Sequence, residues 1–238
     1  MGVLKTLVFK KIRSGLWTVV AFAILLGVLA GPLLKSSHRM RRVGFWLSWS
    51  HDVGSVVFVG DSIVAGWKDL AAAFPEHKVA NRGLNGDRTV DVLNRLETDV
   101  LSLRPVGVVL LIGTNDLNSG AEPEGALANI EAIIRAVRGR FPGLPIVICK
   151  LMPRAIVPGR FPDQILELNA ALDEAFRTDA DSVVLDTWTL FADARGAPHS
   201  EDFPDLLHPG PKGYSAWAAA LRPVLRARMP SSAVSRSE

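Results

Sequence analysis

Cysteine occurs once in the 238 residues, at Cys149. That excludes an intrachain disulfide framework and any Cys-rich zinc site. Cys149 lies in the apolar run Ile146-Val147-Ile148-Cys149 and reads as a small core residue, not a nucleophile. His-Glu-x-x-His, a P-loop and Gly-x-Gly-x-x-Gly are also missing, so no pattern calls for a metal or a cofactor. There is no internal repeat and no linker to a second domain. Acidic residues are absent from positions 1–42, which hold eight of the 27 Lys and Arg. The other 19 basic side chains face 24 acidic ones across 43–238, so the overall +3 belongs to the N-terminus. A mildly acidic body argues against nucleic acid as a partner.

The basic N-terminus surrounds a long apolar run. Leu16 to Leu34 is apolar apart from Thr18, and as a helix it would rise roughly 28 Å, about one hydrocarbon core. Lys5, Lys10, Lys11 and Arg13 precede it; Lys35, Arg39, Arg41 and Arg42 follow. The expectation is an uncleaved, single-pass membrane anchor over residues 16–34. The competing reading is a cleaved signal peptide with Val28-Leu29-Ala30 near its cleavage site, but Pro32 and the length of the run count against it. The flanking charges tie, so orientation rests on the short tail before the run and the large domain after it. Those place the domain on the exported, periplasmic or extracellular side. Residues 43–53 carry Phe45, Trp46 and Trp49, which fit either an interfacial segment or a linker packed on the domain.

Strands and helices alternate from there. Val56-Val57-Phe58-Val59 reads as a buried parallel strand running into Gly60-Asp61-Ser62, with Gly60 providing a sharp turn. Further strands are expected at 78–81, 106–112, 145–151 and 182–186. Helices are expected at 63–74, near 90–100 with Val90, Leu93, Leu96 and Val100 on one stripe, and at 123–140, 163–177 and 211–228. Alternation of this kind means a parallel sheet covered on both faces. The domain is expected over 54–228, after residues 1–42 and 43–53, with a Ser-rich disordered tail over 229–238. The connection 187–210 is long, which usually signals function.

Each polar cluster follows a strand, and such loops gather on one sheet edge. Serine hydrolysis needs a nucleophile, a base, a group to orient the base, and donors aimed at the developing oxyanion. Ser62 after the first strand is a candidate nucleophile and His208 a candidate base. Asp205, three residues earlier, can orient His208 if the segment turns. Backbone N–H groups of Ser62 and Gly86 and the Asn115 amide are candidate oxyanion donors. Each residue also has an ordinary reading: Gly-Asp-Ser and Asn115 as turn chemistry, Asp205 as a helix cap, His208 as a loop histidine like His38, His51, His77 and His199. Asp61, Asp87 and Asp116 read as loop braces that bond nearby N–H groups.

Four blocks carry a resemblance. Gly60-Asp61-Ser62, Asn81-x-Gly83-x-x-Gly86-Asp87, Gly113-Thr114-Asn115-Asp116 and Asp205-x-x-His208-Pro209 together resemble the SGNH, or GDSL-type, esterases and lipases over about 54–228. Within that family, Gly83-Leu84-Asn85-Gly86-Asp87 and Leu93-Asn94-Arg95-Leu96 look most like the platelet-activating-factor acetylhydrolase and lysophospholipase-like branch. The resemblance implies a flavodoxin-like α/β sandwich with five parallel strands in the order 2-1-3-4-5. It implies Ser62 as nucleophile, His208 as base, Asp205 as its partner, and Ser62, Gly86 and Asn115 as the oxyanion hole. Ile63 stands where the family usually has leucine, an apolar exchange. The first block is not Gly-x-Ser-x-Gly, which argues against an α/β-hydrolase elbow. The expected function is a membrane-anchored esterase acting on a short-chain ester or lysophospholipid without metal or cofactor. The rivals are an O-deacetylase of cell-envelope polysaccharide, an acyl thioesterase and a non-catalytic binding module. The sequence leaves the oligomeric state open.

Overall fold

The computed structural model describes residues 37–154 and 161–231. The expected anchor over 16–34 lies outside them, and among the described residues no helix is long and apolar enough to cross a membrane. The chain divides between Trp46 and Leu47 into two units. A helix, α1 (Ser37–Leu47), runs across that boundary.

The larger unit is built on five parallel strands: β1 (Val56–Gly60), β2 (Val79–Gly83), β3 (Gly107–Leu111), β4 (Ile146–Cys149) and β5 (Ser182–Leu185), in the order β2-β1-β3-β4-β5. This is the expected sheet. β1 is buried along its whole length because both faces are covered. Its side chains alternate between two cores. Val57 and Val59 pack with α5 (Thr89–Asp99), α7 (Pro123–Arg140) and α8 (Phe161–Phe176), through Val92, Leu96, Ile130, Ile133, Leu168 and Leu172. Val56 and Phe58 join the other core with Trp67, Phe74, Phe191, Phe203, Trp217, Leu221 and Leu225. Burying a side chain such as Phe58 contributes about 1.5–3 kcal/mol. Cys149 belongs to this second core, and burial pushes its thiol up to about 12.

The register of the sheet sets where its loops emerge. Gly60 pairs with Gly83 on one side and Leu111 on the other, so β1, β2 and β3 end level with one another. Ser62, Gly86 and Asn115 lie two, three and four residues beyond that common line. The sheet order reverses about β1, which puts them at the switch point where open α/β sheets bind ligands.

Three expectations need correcting. Gly60 is the last residue of β1 and not a turn; a Cβ there would lie 2.1 Å from the Leu111 carbonyl oxygen, so close packing demands the glycine. The helix expected over 63–74 is two short ones, α3 (Ser62–Ala65) and α4 (Leu70–Ala73). Asn81 Nδ2 donates to the carbonyls of Val64 and Trp67, and Trp67 packs among Phe58, Phe74, Tyr214 and Trp217. On α5 the buried stripe carries Val92 and Leu96 and, unexpectedly, Arg95 and Asp99. Short helices that the pattern did not give are α2 (Trp49–Asp52), α6 (Thr114–Asn118) and α9 (Thr187–Phe191). After the last helix, α10 (Pro211–Arg228), Met229 is buried and His77 bonds the Pro230 carbonyl, so the packed chain continues past the expected start of the tail.

Candidate active site

Asp61 fixes the start of the site. Its Oδ1 accepts from the Ile63 N–H at 2.9 Å and caps α3, which presents Ser62 at the first turn. Burial dominates the Asp61 carboxyl and pushes it up to about 7, with Asp87 and Asp116 adding repulsion; the Ile63 N–H and His208 pull the other way.

Ser62, His208 and Asp205 form a hydrogen-bonded line. His208 Nε2 stands 2.9 Å from Ser62 Oγ, and His208 Nδ1 stands 2.7 Å from Asp205 Oδ2. A carboxylate can only accept, so Nδ1 carries the proton and Nε2 is left to accept from the serine hydroxyl. The loop that holds this arm is local. Leu206 adopts a left-handed φ of 60°, which turns the chain so that the N–H groups of Leu207 and His208 both reach Asp205 Oδ1. Partial burial would raise the Asp205 carboxyl, but those bonds outweigh it and hold it down at about 2. Asp205 is therefore ionised at any pH at which an imidazole is neutral.

The donor side is built differently. Gly86 has φ of 77°, a conformation that favours glycine, and open space where a Cβ would point. Asn115 lies in the first turn of α6, and its Nδ2 donates to the Asp87 carbonyl at 2.9 Å. An amide has two N–H groups, so that bond fixes the side chain and leaves the second for a ligand. Beneath lie buried braces. Asp116 accepts from the Thr89 N–H at 2.9 Å and its hydroxyl at 2.5 Å, as expected of a loop brace. Asp87 accepts from the Arg95 guanidinium at 2.7 Å.

The sequence-derived residues are thus brought to one sheet edge. His199 is exposed in its loop, and His51 pairs with Asp52 instead. What sequence reasoning missed is the support: Arg95, Thr89 and Asn129, whose Nδ2 donates to Thr89 Oγ1. Arg95 had a signal, since its position falls on the turn between Val92 and Leu96.

Such an arrangement can deliver a serine oxygen to an electrophilic carbon and hold negative charge beside it. The fold is found elsewhere. A protein from Streptococcus pneumonia described as a platelet activating factor superposes with a TM-score of 0.73 at 26% identity, covering 85% of this chain and 99% of its own. A lipase/acylhydrolase from Enterococcus faecalis superposes at 0.60, with 24% identity over 75% of this chain and 98% of that one. An acetyl-xylooligosaccharide esterase from Geobacillus Stearmophilus superposes at 0.55, with 20% identity over 74% and 95%. No curated protein matches the chain. The model of the GDSL-like lipase/acylhydrolase family matches residues 58–216, a stretch that takes in the serine block and the histidine block alike. By that match the chain belongs to the GDSL-like lipase/acylhydrolase family, and it is an ester-hydrolysing enzyme.

Proposed function

We propose that this is a membrane-anchored serine esterase that hydrolyses a short-chain ester or a lysophospholipid through an acyl-enzyme on Ser62. The observation that carries the mechanism is the Ser62–His208–Asp205 line, with both contacts under 3 Å. His208 Nε2 takes the Oγ proton as Oγ bonds to the ester carbon. The carbonyl oxygen becomes an oxyanion, met by the N–H groups of Ser62 and Gly86 and the Asn115 amide. Asp205 stabilises the imidazolium. Collapse expels the alcohol, which leaves with the proton from His208, and water repeats the sequence on the acyl-enzyme.

Two features support a lipid setting. The apolar run over 16–34 ends just before α1, and α1 exposes Met40, Val43, Trp46 and Leu47, with Arg41 and Arg42 alongside. Apolar and aromatic side chains flanked by arginines suit a headgroup region. The short tail before the run and the large domain after it favour the domain on the exported side. A second reading, O-deacetylation of cell-envelope polysaccharide, draws on the exposure of the base arm. The Asp205 and His208 side chains are 57% and 39% exposed, an open edge that a polymer can reach.

A fluorophosphonate probe should label the full chain and fail on Ser62→Ala. Lipid extracts, acetylated glycans and acyl thioesters, offered in parallel, should then give free fatty acid, acetate or thiol according to the true substrate. No labelling and no turnover of p-nitrophenyl acetate would leave only the binding-module reading. The anchor is tested separately: the protein should stay with membranes through carbonate extraction, and its release would sink that part alone.

A further inference from the structure

Arg95 is buried, and it bonds two of the segments that carry an oxyanion donor and reaches the third through Asp87. Its Nε donates to Asp87 Oδ2 at 2.7 Å. Its Nη2 donates to the Gly60 carbonyl at 3.2 Å and to the Arg82 carbonyl at 2.8 Å, and its Nη1 lies 3.5 Å from Asp99 Oδ2. Gly60 stands two residues before Ser62. Asp87 follows Gly86, and the Asp87 carbonyl takes the Asn115 amide. One guanidinium thus joins, directly or through one residue, the nucleophile turn, the glycine loop and the asparagine.

The energetics favour a geometric role over a stabilising one. The Arg95 side chain is 6% exposed, and its carboxylate partners Asp87 and Asp99 are 3% and 7% exposed. Burying such charges costs so much solvation that an apolar replacement of similar volume is often neutral or better. What an apolar side chain cannot do is fix a carboxylate and two carbonyls at once. A planar guanidinium does so with rigidly spaced donors, where the single ammonium of lysine cannot.

We infer that Arg95 is a positioning residue that sets the spacing of the three oxyanion donors. This rests on reading Ser62, Gly86 and Asn115 as that hole. Small errors in such spacing are costly, with a 1 Å displacement worth about 10²-fold.

The test is a double-mutant cycle on the full chain with p-nitrophenyl acetate. Asn115→Ala should lower kcat by roughly 10²–10³-fold. Arg95→Lys keeps the charge balance with Asp87 and Asp99 and should lower kcat by about 10–100-fold with KM within about twofold. Residues acting on the same oxyanion do not act independently, so the double variant should lose clearly less than the product of the single losses. A wild-type kcat for Arg95→Lys, or losses that multiply, would overturn the inference while leaving the hole intact. A wild-type kcat for Asn115→Ala would overturn the hole, and the role of Arg95 with it. Should Arg95→Lys not fold, Asp87→Ala enters the same cycle. It leaves Arg95 its Asp99 partner, and the same sub-multiplicative loss is expected of it.

Discussion

In the proposed site, the base side and the oxyanion-donor side of Ser62 are constructed on opposite plans. The base side is a four-residue turn, Asp205 to His208, whose Asp205 hydrogen bonds close within itself and whose side chains are partly exposed to water. The donor side is held from below by buried Arg95 on Asp87 and Gly60 and buried Asp116 on Thr89, with half-buried Asn129 also on Thr89, bonds that mostly join distant parts of the chain. A proton carrier moves its charge during the reaction and is served by water and by freedom to adjust. An oxyanion hole works by not moving, because donors fixed in advance need no reorganisation when charge appears. The base side should therefore be separable from the fold, and the donor side should not.

The widest separation is expected at His208. His208→Ala should lower kcat by about 10⁴-fold or more. Its melting temperature should stay within about 2 °C of the wild type, since little packing is lost at so exposed a site. Near-normal turnover in the variant would move the base elsewhere, with His199 the next candidate.

A second contrast sets two aspartates against each other. Asp116→Ala leaves the Thr89 N–H and hydroxyl buried without their acceptor. That should cost about 2–4 kcal/mol, or roughly 5–15 °C in melting temperature. Asp205→Ala should cost about 1 kcal/mol or less, while lowering kcat by about 10²–10⁴-fold. Calorimetry beside steady-state kinetics checks both, and equal loss of stability in the two variants would erase the contrast between the two sides.

The finest effect is a slope. Asp61 takes its proton at about 7 in the fold, against an ordinary 3.8. Between those values the folded chain holds a proton that the unfolded chain has released. Rising pH therefore removes stability across that window, and the loss ends above about 7. Asp205 has the opposite sign: its stabilisation is lost only as pH falls from 3.8 toward about 2. Asp61→Asn keeps an acceptor for Ile63 and has no charge to bury. Its melting temperature should match the wild type near the acid end of the Asp61 window and fall less toward the neutral end. Parallel curves would show that Asp61 is already charged at the acid end.

What could be read from the chain follows the same division. β1 was legible because Val56-Val57-Phe58-Val59 is apolar on both faces, which only a covered parallel strand explains. Asp205-x-x-His208 was legible because its bonds close within one turn, so that spacing alone states the geometry. The break between α3 and α4 was not, because it depends on Asn81 from β2 and on aromatic rings from α10. Arg95 was least legible of all. Helical spacing tells which positions share a face, but a charged residue on that face reads as solvated until its distant carboxylates and carbonyls are in place.

Cys149 bears on chemistry done to the molecule as well as by it. As the sole sulfhydryl, buried and with its thiol at about 12, it offers alkylating reagents almost no thiolate. A cysteine introduced at a chosen surface position would be the single reactive handle on the protein. Fluorophores or spin labels could then be attached one site at a time, with the natural chain as the unlabelled blank.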